Sequence, residues 1–427
     1  MGFERSDVEA LSAALGEPDW VLERRLEAWA WFEKMELPGE KEEPWRYTSL
    51  ARLKFKLDRF SAMPQNGVSE PIEPASGRCG LLLERGSRRS LARRPLHEES
   101  RVIFTDIHTA IAEYPDLVRP HLFSQVDSSS HIFSALHGAL FAGGGFLYVP
   151  RGVSVDVPIE TQHLIEKAGS AIFPHTLVVV EEGAEVCYLE RFRSKGLTGP
   201  ALSNAAIEVV AGQASRVFVA SLQDYEKQVW HFEVQRSSTA RDVNLKSLVV
   251  TLGGRFSRTE STSALGGEGN SVEMMGLYFA EEGQHFDFRT LQDHRAPHCT
   301  SDLLYKGALR GDARTVYSGL IHVRPEGAET DAYQTNRNLI LSDDAKADSK
   351  PELEIENNDV RCSHAASVGQ IDENEIFYLQ TRGMDRASAE RLIVQGFFEE
   401  VLGRVGRTDI HYLVQGMLES KLEEPAK

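Results

Sequence analysis

Between Phe146 and Val323 the chain is a succession of short β-branched and aromatic runs broken by glycine, with no helical period among them. The runs include Phe146 to Val149, Leu177 to Val180, Val186 to Leu189, Ala206 to Val210, Val217 to Val219, Val229 to Val234, Leu245 to Val250, Val272 to Tyr278 and Val316 to Val323. Gly183 and Gly212 stand 29 residues apart, and Gly283 and Gly311 stand 28 apart. A coil that must turn the same corner once per turn explains such a spacing, because glycine tolerates the positive φ that corners demand. A β-solenoid is the expectation from this pattern, and an antiparallel sandwich is the competing architecture that it leaves open.

The flanks read differently. In the first forty residues Leu22, Leu26 and Trp29 fall on one helical stripe, Pro18 suits a first turn, and Pro38 stops the pattern. A polar, proline-interrupted region follows, then a basic stretch from Arg85 to Arg94 and a helical segment from about Asp106 to His121. After Asp359 helical signals return. Asp372 can cap a helix that ends at Gly383, Asp385 a second lined by Leu392, Phe397 and Val401, and Asp409 a third. The resulting division is a mostly helical region 1–128, a β core 129–358, and a C-terminal helical domain 359–427 that opens with a last strand.

Composition narrows the function classes. With 64 acidic and 47 basic side chains the net charge is -17, which repels phosphate backbones and anionic lipid, so neither nucleic acid nor a membrane is an expected partner. No apolar run approaches the roughly 20 residues of a spanning helix, and the first residues carry no basic and apolar leader pattern, so a cytoplasmic location is expected. The four cysteines, 79, 187, 299 and 362, form no CxxC pair.

Few motifs carry chemistry. Walker A, GxSxG and HExxH patterns are absent, and Gly143-Gly144-Gly145 leads into a strand where a phosphate site needs a helix N-terminus, so no enzymatic activity is expected. Asp293-His294-Arg295-Ala296-Pro297-His298-Cys299 is rich in ligand types, but Pro297 breaks the helix that would stack the histidines, and a structural loop is the better reading. Asp343-Asp344 is the best carboxylate pair for a carbohydrate-active solenoid, yet neighbours in a strand point to opposite faces. Cys362-Ser363-His364 differs, since a strand would put thiol and imidazole on one side, where both suit iron or sulfur species. From composition alone, a packed cysteine and a satisfied histidine explain the same residues.

A chain of motifs in order resembles the SufB/SufD family. It runs from Tyr305-Lys306-Gly307 through Ser318 to Val323, Thr330 to Leu339, Leu341 to Ala345, Pro351 to Ile355, Asp359 to Gln370 and Phe377 to Gly383, with Glu43 to Thr48 and Phe146 to Pro150 upstream. The resemblance implies a right-handed parallel β-helix between helical ends and a role as a non-catalytic scaffold subunit in iron-sulfur cluster assembly. It also implies two partners: SufB, paired through the β-helix, and the ATPase SufC, docked on C-terminal helices at Leu392, Ile393, Phe397, Phe398 and Val401. SufB proteins carry a cysteine six residues before the proline matching Pro351, where this chain has Ala345, and read Glu-His-Glu where this chain reads Cys362-Ser363-His364. Both differences favour the SufD branch. On that reading His364, with Cys362 assisting, is a candidate iron or cluster ligand at the SufB interface, and no cofactor is held stably by the chain alone. The expected state is a hetero-oligomer, with a homodimer open to the isolated chain; the alternative function is a SufB-like, self-sufficient homodimeric scaffold.

Overall fold

The computed structural model describes residues 2–62, 78–86, 88–93 and 101–423; of the basic stretch, Ser87 and Arg94 lie outside the described residues. Its body is a β-solenoid of about eight turns with helices at both ends of the chain. Each turn contributes one strand to each of two sheets. One sheet runs from Gly145–Val149 through every second strand to Lys346–Ile355, and the other from Ser154–Ile165 to Val360–Gln370. All pairing along the coils is parallel, with one register shift between Val155 and Ile159, and this excludes the antiparallel sandwich.

The corner that leads from the first sheet to the second explains the glycine spacing and also corrects it. A residue in the left-handed region occupies this corner in seven successive coils: Gly152, Gly183, Ala214, Asp242, Gly269, His298 and Glu329, with φ between 55° and 75°. Each donates its N–H to a carbonyl in the following coil, as Gly183 does to Gln213 at 2.8 Å and His298 to Ala328 at 2.9 Å. Ala214, and not Gly212, stacks over Gly183. Gly212 has ordinary φ and is glycine because a Cβ there would come within 2.8 Å of the Val180 carbonyl oxygen. Gly283 and Gly311 belong to the opposite corner, also with positive φ.

Between the sheets lies a core of Val, Leu, Phe and Tyr side chains, among them Val178, Val209, Leu245, Met274, Phe288 and Tyr305. The outer faces are covered too. Trp45, Phe55, Phe133 and the helix Asp19–Phe32 pack on the first sheet against Trp230, Phe232 and Phe256. The helices Arg386–Arg404 and Thr408–Glu423 pack on the second against Leu189, Phe218, Leu277 and Phe279. Strands in this middle zone are buried on both faces, so Ala201–Ala211 is buried almost throughout.

The N-terminal region is less helical than its sequence suggests, because Gly80–Arg85 joins the second sheet, Arg88–Arg93 pairs antiparallel with it, and Ile103–Asp106 closes the first sheet antiparallel to Gly145–Val149. The helical stripe is also displaced by one residue. Val21, Arg25, Ala28, Trp29 and Phe32 face inward, while Leu22 and Leu26 are half-buried. Arg25 was hidden from a hydrophobic pattern; it is fully buried, paired with Glu17 at 2.6 Å and donating to the carbonyls of Ala139 and Phe141.

The first coils enclose a second charged group. His163 contacts Glu84 at 2.8 Å and hydrogen-bonds Glu190, which also accepts from Thr176 and Tyr188. Burial alone would lower the imidazole, but the Glu190 charge and the hydrogen bonds that the ring donates to Glu190 and Glu84 outweigh it and raise His163 to about 9. Gly144 donates to Glu84, Gly143 to His108 and Gly145 to Thr176, so the glycine run is spent on protein partners and not on phosphate. Because the folded form binds this proton more tightly than the unfolded one, its contribution is full below about pH 6.5 and disappears as pH rises through about 9. In urea unfolding from pH 6 to 10, the stability gap between wild type and His163→Gln is expected to be largest at pH 6 and to close above pH 9. A gap independent of pH would contradict this.

Candidate functional site

The two ends of the solenoid are finished differently. Antiparallel strands and helices close the first, whereas the last coil, Lys346–Ile355 and Val360–Gln370, is the edge of both sheets. Neither strand contains a buried residue. Pro351, which can donate no ladder hydrogen bond, stands in one of them, as an edge strand permits.

Register shows which side chains of this coil point inward. In the preceding coil Ala332, Gln334, Asn336 and Asn338 are buried and Tyr333 and Arg337 are exposed; Cys362, His364, Ala366 and Val368 lie beside the buried row. On the other sheet Leu353 and Ile355 lie beside the fully buried Ile321 and Val323. These are core positions with no coil beyond them, so Leu353, Ile355 and Val368 remain 37%, 43% and 48% exposed. The spacing argument holds here, since Cys362 and His364 do share a face.

Their surroundings differ. Cys362 is half-buried against Ile321, Val323 and Ala332, and its thiol is pushed up by burial, with the Ala332 N–H pulling the other way and the Asp331 charge adding to the rise. His364 is exposed and, among the described residues, forms no hydrogen bond or ion pair. Beside it in register sits Gln334, fully buried, whose Nε2 donates to the Gly319 carbonyl at 3.2 Å and whose Oε1 has no partner. Asn336 and Asn338 continue this amide row, tied to Tyr278 and Ser349. Gln334 gave no signal of its own in the sequence, because an amide in a strand reads as surface. One signal was available in Gly319: a Cβ there would fall 2.7 Å from the Gln334 nitrogen.

A thiol and an imidazole from one chain are two donors, fewer than the four of a tetrahedral nitrogen and sulfur site. They suit iron or a cluster whose remaining ligands come from a second protein. Ala345, where a thiol would be needed for a third donor, packs half-buried at the corner entering Lys346–Ile355. The other sequence candidates do not join them. His294 is buried and bonded to Ser301 and Thr330, Cys299 donates to the Gly267 carbonyl, and His298 holds the left-handed corner. Asp343 and Asp344 occupy a turn, not a strand, so the opposite-face argument against them does not apply there.

The C-terminal helices divide the docking residues. Asp372 and Asp385 cap their helices as expected, accepting from Asn374 and Ser388, but Asp409 lies inside the first turn of Thr408–Glu423. On Arg386–Arg404, Phe398 and Val401 are fully buried against the second sheet, which corrects their assignment to a docking face. Phe397 is half-buried beneath Lys306, whose ammonium lies 4.3 Å from its ring and donates to the Phe397 carbonyl and to Glu400. Ile393 is half-buried; Leu392 is exposed, as are Phe377, Tyr378 and Tyr412 on the adjoining helices.

With this geometry established, known proteins supply the context. Residues 163–397 match the profile described as SUF system FeS cluster assembly, SufBD core domain, and residues 89–161 match the SufBD protein N-terminal region. The chain belongs to the SufBD family. An iron-sulfur cluster assembly SufBD family protein of Mycobacterium leprae is 30% identical over 91% of each chain. The iron-sulfur cluster assembly protein SufD of Bacillus subtilis is 27% identical over 99% of each, and a family member from Mycobacterium tuberculosis is 34% identical over 64% of this chain and 68% of its own. Membership in this family makes the chain an iron-sulfur cluster assembly protein. No described helix is long and apolar enough to cross a membrane.

Burial separates the two aromatic and aliphatic sets sharply enough to test. Phe398→Ala is expected to cost about 3–5 kcal/mol and Leu392→Ala less than about 0.5 kcal/mol in denaturant unfolding. Similar losses from both would place the helix face differently.

Proposed function

We propose that the chain is the SufD-type structural subunit of a cluster assembly complex, without turnover of its own. The observation that carries this reading is the uncovered last coil: inward-facing Leu353, Ile355 and Val368 with nothing over them, next to two edge strands of 10 and 11 residues. An exposed apolar row beside unpaired strand edges is favourable only when another surface covers it. A second β-helix end that could continue these ladders is the surface that fits, and the SufB partner that the family implies is the candidate to supply it. On that partner a thiolate would face His364, and the imidazole would complete a shared site for iron or a nascent cluster as cargo, with Cys362 adding sulfur when its proton is displaced.

SufC would dock on the exposed residues of the C-terminal helices, Leu392 together with Phe377, Tyr378 and Tyr412, and not on Phe398 or Val401. These helices rest on the outer face of the second sheet through Lys306–Glu400 and Arg404–Asp302, so a push on them would reach the strands that end in the open coil.

Coexpression with SufB and SufC provides the test. A tagged chain is expected to capture both; Leu353→Asp with Val368→Asp should abolish SufB capture while leaving the chain folded. His364→Ala should leave the complex intact and reduce cluster formation at least tenfold. Normal cluster formation by the His364→Ala complex would remove the ligand role. A stable chromophore on the isolated chain after iron and sulfide reconstitution would favour the self-sufficient homodimer instead.

A further inference from the structure

A second set of metal-capable side chains lies on the outer face of the other sheet, in the last two coils. On the outer face of the first sheet, Asp293, His322 and Glu354 stand in one row across three successive coils. Asp293 is already engaged, by Arg295 and Arg324 at 2.7 and 2.9 Å. His322 and Glu354 are not held in this way, and Glu356, just past the strand end, turns back so that its carboxylate meets the His322 Nε2 at 2.7 Å. The ligand atoms of His322, Glu354 and Glu356 all lie within 4.8 Å of one another.

Burial distinguishes this group from an ordinary acidic patch. His322 is only 8% exposed, on a strand paired on both sides, and its Nε2 faces two exposed carboxylates. Two like charges so close repel each other. The nearest relief among the described residues is the Arg324 guanidinium, whose own hydrogen bonds go to Asp293. A divalent ion with bonds of about 2.0–2.2 Å holds its ligands about 3–3.5 Å apart, a distance that glutamate rotamers can close while the histidine stays in place.

We propose that His322, Glu354 and Glu356 form a binding site for a divalent first-row transition ion, with one nitrogen and two carboxylate oxygens from the protein and water in the remaining positions. The imidazole selects against magnesium and calcium, which take oxygen donors, and the solvent-facing carboxylates make the site an exchanging one. It is separate from His364, which faces inward from the other sheet, and it stands or falls independently of the pairing with SufB.

Titration of the chelator-treated full-length chain with cobalt(II), followed by its visible absorption and by calorimetry, tests the assignment. One ion per chain is expected. His322→Ala and Glu356→Gln should each weaken binding at least about tenfold, and His364→Ala should leave it unchanged. Glu356→Gln keeps the side-chain shape, so it carries the test if His322→Ala fails to fold. Equal cobalt affinity in wild type and Glu356→Gln would overturn the site, as would loss of binding in His364→Ala alone, which would place the ion in the open coil.

Discussion

Along the solenoid each coil pairs its backbone ladders with the coil before it and the coil after it, in parallel. That constraint fixes the rest. A stack of this kind has two ends, and each end leaves a full row of unpaired N–H and C=O groups and one layer of core side chains without a cover. At the start of the stack the chain supplies the cover itself, with antiparallel strands and helices that cannot continue the coil. At the finish no described residue continues the stack, and Cys362 and His364 sit in that last layer.

Much of this was legible in the residues. Alternating β runs and corner glycines announce a solenoid because a corner constrains φ in the same way in every turn. The exact repeat was not legible, since Ala214, Asp242, His298 and Glu329 take the left-handed position in four of the seven corners where glycine would be the easier residue. Side chains at such a corner point to solvent, so the sequence is free to vary there, and a search for repeated glycine finds Gly212 by coincidence of spacing.

The misplacements share a physical cause. Hydrophobic periodicity locates a buried face but is blind to polar groups that are buried with partners. Arg25 carries the inward stripe of its helix on an ion pair with Glu17, and His163 and Gln334 are core residues of polar type. On Arg386–Arg404, Phe398 and Val401, which the family resemblance offered as docking residues, are instead consumed by the sheet beneath them. Cys362 and His364 were placed correctly because strand alternation depends on the backbone alone, whereas the openness of their coil depends on what fails to follow it in space.

The unfinished coil also sets a direction for the whole solenoid. Neighbour-only coupling makes local opening cheapest where a turn has one neighbour instead of two. Amide exchange should therefore quicken along the axis toward residue 370, and any protein that seats itself there acts as the missing terminal rung. The strand Val360–Gln370 would then gain rigidity from whatever surface pairs with it, and without one it keeps His364 on the turn with a single neighbour.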